Sequence, residues 1–188
     1  MCFSFEVSIG TFLVSWGISI YLLNKGLNKK QKQSIIFLMI FSSIQLADAI
    51  LWYNGMKKNN INYITTSFII PLLLSLQILY NVYIRNNNKN TILTLIGILV
   101  ILHMFYRFNG YSESLCNNKL SSPVWGSNEL KLWELVLFII LILYPDNMAW
   151  FPIVVSWLAM IKIFIGGAYG SLWCAIANII SFYYLYKY

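Results

Sequence analysis

Long apolar stretches follow one another along almost the whole chain. A helix needs about 20 apolar residues to cross a bilayer, with a range of about 17 to 25. The candidate spans cover approximately residues 4–24, 34–54, 63–84, 91–107, 130–144, 148–166 and 168–186. The fourth and fifth are short, and the loss of either would leave six spans and move the C-terminus across the membrane. This pattern predicts an all-α, multi-pass membrane protein whose seven transmembrane helices form one bundle over residues 1–188.

The composition excludes an ordinary water-soluble domain. Hydrophobic residues make up 59% of the chain and charged residues 10%, whereas a soluble domain carries about 25% charged residues. The net charge of +7 therefore belongs to membrane topology and to anionic headgroups of the lipid bilayer. Because the basic residues are scattered among loops and form no single patch, nucleic acid is not an expected partner.

Lysine and arginine predict the orientation of the bundle. One set of loops holds seven of them: Lys25, Lys29, Lys30, Lys32, Arg85, Lys89 and Lys187. The other set holds five: Lys57, Lys58, Arg107, Lys119 and Lys131. The positive-inside rule then places the N-terminus outside and the C-terminus in the cytosol. The first apolar stretch is too long, and lacks the preceding basic segment, for a cleavable signal peptide. Segment 108–128 becomes an outer loop, long enough to act as a lid.

Polar residues gather in the half of the predicted bundle that contains the N-terminus. They are Cys2, Glu6, Asp48, Trp52, His103, Arg107, Glu134, Lys162, Ser171 and Cys174, whereas the other half has Gln77, Asn81 and Asn178 but no acid within a predicted span. A charge at a helix centre costs roughly 2.5 to 3.5 kcal/mol on insertion scales, and such residues normally face a bundle interior or a watery cavity. We therefore expect a polar pocket that opens outward, with Asp48 as its deepest member. The alternative is that residues near helix ends reach the headgroups, as Lys162 can by snorkelling.

Helical spacing separates packing residues from pocket residues. In the first span, Ser4, Ser8, Thr11, Ser15 and Ser19 form a continuous hydroxyl stripe. Small polar residues of this kind let membrane helices approach one another, so we interpret the stripe as a packing face. In the second span, Ser42, Gln45, Asp48 and Trp52 share a face. Packing alone explains Gln45 and Asp48 poorly, and we assign both to the pocket.

Other kinds of chemistry leave a few alternatives open. Cys2, Glu6, His103 and Cys174 could hold a metal ion, although the chain has one histidine and no recognised metal motif. A disulfide among Cys2, Cys116 and Cys174 is a further alternative, as is a free aminothiol at Cys2. A hydrolase is disfavoured, because Arg107 lies one turn from His103 and disfavours its charged form. No retinal is expected, because the last span has only Lys187, at its end.

Two resemblances accompany these patterns. The opening Met1-Cys2-Phe3-Ser4, the element from Gln45 through Asp48 to Trp52, and the sequence from Gly170 to Trp173-Cys174 resemble a family of uncharacterised small membrane proteins from bacteria and large DNA viruses that begin MCFS. Asp48 stands where a glutamate is more usual in that family, which has no assigned activity. The resemblance implies that Cys2, Gln45, Asp48, Trp52, Trp173 and Cys174 act together. In topology alone, seven spans with an outer N-terminus are similar to the sugar-transporting PQ-loop proteins.

The sequence thus predicts a transporter or channel whose pocket binds a small ion or solute. The predicted pocket residues are Cys2, Glu6, Gln45, Asp48, Trp52, His103, Glu134, Trp173 and Cys174. A membrane-embedded thiol- or metal-dependent enzyme or redox protein and a seven-helix receptor with loop 108–128 as its lid are the alternatives. The sequence fixes neither a cofactor nor the oligomeric state, and a homo-oligomer is one alternative.

Overall fold

The computed structural model describes most of the chain. It covers residues 4–85, 91–117, 120–126, 131–145, 147–152, 154–156, 158–159 and 172–188, with backbone alone for 115–117, 120–122, 149 and 172–175. The described residues are mostly helical, and a two-stranded hairpin is the one sheet found among them. The predicted all-helical class is therefore confirmed at the level of a helical bundle.

The first half of the chain folds into three long helical rods. Helix α1 is Phe5–Leu23, α2 is Lys29–Ser42, α3 is Ile44–Tyr53, and α4 is Asn60–Ile64. A π-helical turn, Thr65–Ile69, joins α4 to α5, Ile70–Leu79, and a second one, Tyr80–Arg85, follows α5. Helices α2 and α3 form one 25-residue rod, and the stretch Asn60–Arg85 forms a 26-residue rod.

Two local features interrupt the second and third rods. Ser42 and Ser43 both donate their hydroxyls to the carbonyl oxygen of Met39, at 3.2 and 2.7 Å. Hydroxyls that bond back to the preceding turn bend helices, and the rod breaks at Ser43. In the third rod the π-helical turn precedes Pro71, which lies near the start of α5 and has no backbone N–H to donate.

The second half contains shorter elements. Helix α6 is Thr91–Arg107, strand β1 is Glu113–Asn117, β2 is Leu120–Val124, α7 is Leu132–Leu143, and α8 is Leu172–Lys187. A 3-10 turn, Met148–Trp150, leads into helical residues 151–152, 154–156 and 158–159. Strands β1 and β2 pair antiparallel, with Glu113 opposite Val124 and Asn117 opposite Leu120.

Length and composition identify a membrane-associated protein. Among the described helices, Phe5–Leu23, Lys29–Tyr53 and Asn60–Arg85 are long and apolar enough to cross a membrane. Helices α6 and α7 are apolar but have 17 and 12 residues, which corresponds to about 26 and 18 Å. One face of α6 is nonetheless apolar and more than half exposed along its length, at Ile92, Leu95, Leu99, Leu102 and Tyr106.

The structure also tests the individual boundaries. Helix α6 begins and ends where the fourth span was predicted, whereas the second and third rods begin several residues earlier than predicted, at Lys29 and Asn60. The predicted outer loop holds the β-hairpin. Several predicted features lie outside the described residues: Asn86-Asn87-Asn88, Asp146, residues 153, 157 and 160–166 of the sixth span, and residues 168–171 at the start of the seventh.

The hydroxyl stripe of α1 is a packing face, as predicted, except at its first member. Ser8, Thr11, Ser15 and Ser19 are buried. Asn178 of α8 donates to the hydroxyl of Thr11 at 3.2 Å, and Ser181 donates to that of Ser15 at 3.0 Å. Ser4 was wrongly assigned to packing: it caps the N-terminus of α1, because its hydroxyl accepts from the backbone N–H of Val7.

Candidate functional site

Asp48 lies inside the bundle, on α3. Only 1% of its surface is exposed. The indole Nε1 of Trp125 donates a hydrogen bond to its Oδ1 at 2.8 Å, and Trp125 is itself 5% exposed. Trp125 directly follows strand β2, so a residue 77 positions away closes over this carboxyl group.

The segment before the hairpin is fixed to the third rod by a buried polar network. Asn62 of α4 donates to the carbonyl oxygen of Ser112 at 2.9 Å and accepts from its backbone N–H at 2.8 Å. The hydroxyls of Thr66 and Ser112 lie 2.7 Å apart. All three residues are fully buried. Since paired polar groups in a buried site are costly to separate, this network holds one end of the hairpin in place.

The π-helical turn supplies a further contact of the same kind. The hydroxyl of Ser67 donates to the carbonyl oxygen of Gly110 at 3.1 Å, and the Gly110 N–H lies 3.0 Å from the same hydroxyl oxygen. π-Helical turns widen a helix locally and are frequent at functional sites. Here the turn presents Thr66 and Ser67 to the chain that enters the hairpin.

The other end of the hairpin rests on the end of α6. The ring of Trp125 meets that of Phe108 edge to face, with centroids 6.0 Å apart. Gly126 follows with φ +75°, and a Cβ atom there would lie 3.2 Å from Phe108 Cα and 3.3 Å from the carbonyl oxygen of Arg107. Glycine is required here both for its backbone conformation and for the close approach to α6.

Gly126→Ala is expected to lower the free energy of unfolding by about 1 to 3 kcal/mol, because alanine is strained at this φ and its methyl group meets backbone. Unfolding of the purified protein in detergent micelles measures this. Gly17→Ala is the matched control, since Gly17 has open space around its Cβ position and alanine favours the helix. Equal stability of the two variants would contradict this role of Gly126.

A second buried acid, Glu134, contacts the last turns of α6. Oε1 of Glu134, near the start of α7, is 2.8 Å from His103 Nε2 and accepts from Arg107 Nε at 3.0 Å. Its Oε2 accepts from the backbone N–H of Lys131 at 2.6 Å. The side chains of Glu134 and Arg107 are 6% and 11% exposed, and that of His103 is 39% exposed. The positive charge of Arg107 therefore neutralises the negative charge of the Glu134 carboxylate inside the protein.

No protein-family model, curated protein or solved structure matches this chain. Membership of the MCFS family therefore stays a prediction, and the site must be interpreted from its own geometry.

The structure brings some of the predicted pocket residues together. His103 and Glu134 are in direct contact. Gln45 is completely buried one turn before Asp48. Trp52 lies one turn after Asp48 and is partly buried, and its Nε1 has no hydrogen-bond partner among the described residues.

Glu6, another of the predicted pocket residues, lies at the protein surface in the first turn of α1. It is exposed, and its carboxylate accepts from the hydroxyl of Ser4 at 2.5 Å. Glu6 thus lies at the N-terminus of α1 beside the capping residue Ser4, whereas Asp48 and Glu134 are buried.

The cysteine part of the predicted pocket lies outside the described side chains. Cys2 and Lys162 fall outside the described residues, and Trp173 and Cys174 lie in α8 with backbone alone described, as does Cys116 in β1. The disulfide and thiol alternatives therefore stay predictions. Among the described residues there is no group of three or more His, Cys, Asp or Glu that could hold a metal ion.

Three important residues were missed by sequence reasoning. Trp125, Asn62 and Ser112 stood in segments that were interpreted as loops or loop ends. A tryptophan next to a glycine, in a predicted loop rich in asparagine and serine, is the signal that could have drawn attention to that segment. The polar pair has no comparable signal, because asparagine and serine are ordinary in loops.

Proposed function

We propose that this chain is an integral, multi-pass membrane transporter or channel in which Asp48 binds a proton or a small cation. The supporting observation is that the hydrogen bond to this buried carboxyl group comes from a neutral indole. No salt bridge to Asp48 is found among the described residues. An acid inside an apolar helix is unfavourable unless it is neutralised, and intramembrane acids commonly mark ion or proton pathways.

Among the acids that the structure describes, the comparison with Glu134 favours Asp48 as the ion site. Arg107 already balances the carboxylate of Glu134, and Glu6 is exposed. Asp48 has neither a cationic partner in the described part of the chain nor access to water. A transported proton or cation would supply the missing positive charge there, with Gln45 and Trp52 on the adjacent turns of the same helix.

Trp125 acts as the gate of the proposed ion site, because its indole covers Asp48. The anchored hairpin carries its indole onto Asp48, so that the conformation described here is closed at this carboxyl group. In the proposed topology of seven spans with an outer N-terminus, the hairpin lies on the outer side. Passage of an ion would require Trp125 to move away from Asp48, while Asn62 and Ser112 keep the entry to the hairpin in place.

The test is ion flux through the purified protein in liposomes. Vesicles loaded with a pH-sensitive dye, under an imposed potassium diffusion potential, are compared with protein-free vesicles in media that contain sodium, potassium or neither. We expect faster proton or cation movement in vesicles that contain the protein. Folded, inserted protein that gives no flux above protein-free vesicles under any of these conditions would overturn the proposal.

A further inference from the structure

A buried arginine lies at the far end of the third rod from the hairpin. Arg85 ends the rod that begins at Asn60 and is 8% exposed. Its guanidinium lies over the ring of Phe37 on α2, 5.6 Å from the centroid. Its Nε is buried without a hydrogen-bond partner in the described part of the chain. An arginine cannot lose its proton in a protein, so this position holds a permanent positive charge.

The partners of Arg85 among the described residues are neutral. Its Nη1 donates to Oδ1 of Asn81 at 3.4 Å. The amide of Asn147, oriented with its oxygen toward the guanidinium, accepts from Nη1 at 3.0 Å and from Nη2 at 2.5 Å. Asn81 is held in turn by donating to the carbonyl oxygens of Leu141 and Tyr144, at 2.8 and 2.7 Å. The guanidinium is thus positioned by amides that do not neutralise it.

Arg107 is a second buried arginine with which Arg85 can be compared. It is similarly buried, but it donates to the carboxylate of Glu134. Arg85 has no acid within salt-bridge distance among the described residues. A buried charge is costly unless it is paired, so an anion from outside the chain is expected at Arg85. The surrounding end of the bundle favours anions, because Lys25, Lys29, Lys30, Lys32 and Lys187 lie in the segments at that end.

We propose that Arg85 binds a phosphate group at this end of the bundle. The planar guanidinium fork matches phosphate oxygens, and Nε offers a donor that the described protein atoms leave unused. The phosphate belongs either to a lipid headgroup or to a soluble phosphate. This site is separate from Asp48, and its test does not depend on ion flux.

The experiment measures thermal unfolding of the full chain in a non-ionic detergent. One arm titrates inorganic phosphate against chloride at constant ionic strength, and the other titrates a short-chain phosphatidylglycerol against an uncharged lipid of the same chain length. We expect one arm to raise the midpoint of the wild type in a saturable way. Arg85→Gln should weaken that binding roughly ten- to hundred-fold, because hydrogen bonds to charged groups contribute about 1.5 to 3 kcal/mol.

Three further variants keep the result interpretable. Lys29→Gln removes an exposed charge from the same end and should bind as the wild type does. Arg85→Lys keeps the charge but loses the fork, and it replaces Arg85→Gln if the latter does not fold; weaker binding is again expected. Asp146→Asn removes the acid that precedes Asn147 in the sequence. Binding by this variant that is as strong as that of the wild type supports the proposal.

Three results would overturn it. The first is a wild type that responds to neither ligand. The second is equal binding by the wild type and the Arg85 variants. The third is binding that appears only in Asp146→Asn, because Asp146 would then be the anion that Arg85 holds.

Discussion

Asp48→Asn is expected to reduce ion flux in liposomes to the level of protein-free vesicles while leaving the protein folded. Asparagine has nearly the same shape, and its amide oxygen can still accept the Trp125 N–H that now reaches Oδ1 at 2.8 Å. It cannot carry a negative charge or exchange a proton. We therefore expect the free energy of unfolding to change by no more than about 1 kcal/mol, because the replaced group stays hydrogen-bonded and no buried charge is created.

The control for this variant is another acid at the same end of the bundle. Glu113 on strand β1 is exposed and forms a salt bridge with Lys58 at 2.6 Å. The hydrogen bond with Glu113 raises the pKa of Lys58 above its ordinary value. Both side chains are more than half exposed, so this is an ordinary surface pair. Glu113→Gln should keep wild-type flux. Flux in Asp48→Asn equal to that of the wild type would remove Asp48 from the proposed pathway.

Glu134→Gln is expected to lower the free energy of unfolding by about 3 kcal/mol, the lower end of the range for breaking a buried ion pair. The substitution removes the negative charge 3.0 Å from Arg107 Nε. Both carboxylate oxygens of Glu134 accept hydrogen bonds, and glutamine replaces one of them with an NH₂ group that can only donate. At Oε2 this group would face the backbone N–H of Lys131, whose nitrogen lies only 2.6 Å away. Unfolding in mixed micelles of denaturing and non-ionic detergent measures the loss.

The Glu113→Gln variant again serves as the control, since exposed ion pairs contribute about 0 to 1 kcal/mol. We expect a large loss of unfolding free energy for Glu134→Gln and a small one for Glu113→Gln. A Glu134→Gln protein as stable as the wild type would show that Arg107 does not depend on this carboxylate, and the assignment of Glu134 as a structural partner would then be wrong.

The helical part of the fold could be predicted because apolar runs and helix length are local properties of the sequence. Helix α6 ends at Arg107 as expected, since the polar segment begins directly after it. The break at Ser43 and the π-helical turn at Thr65–Ile69 could not be predicted in the same way. The break at Ser43 accompanies hydroxyls that donate to the carbonyl oxygen of Met39. Pro71 marks an interruption next to the π-helical turn, but the contacts of that turn with Gly110 and Ser112 depend on the fold.

In the candidate site, too, the sequence predicted the positions of residues along their helices, but not the contacts between them. The spacing of four residues put His103 and Arg107 on one face of α6, and alternation of the spans put Glu134 on the same side of the bundle, but only the fold brings Glu134 between them. Asp48 was recognised as the deepest acid, whereas its contact with Trp125 depends on how the hairpin is anchored. Interpretation of the sequence therefore found the acids and Arg107, but not the pairing of Arg107 with Glu134 or the contact of Trp125 with Asp48.

The most direct test of the central claim is chemical labelling of Asp48 by a membrane-permeant carbodiimide, which adds to accessible carboxyl groups, with the labelled residue identified by mass spectrometry. We expect slow labelling in the wild type. We expect faster labelling in Trp125→Phe, which loses the indole N–H. If the flux assay identifies a metal cation, that cation should protect Asp48 but not Glu113; if the ion is a proton, labelling of Asp48 should fall as the pH is raised, because carbodiimides add to protonated carboxyl groups. Labelling of Asp48 at the same rate in both proteins, unaffected by the transported ion, would contradict the claim that Asp48 is an ion site closed by Trp125.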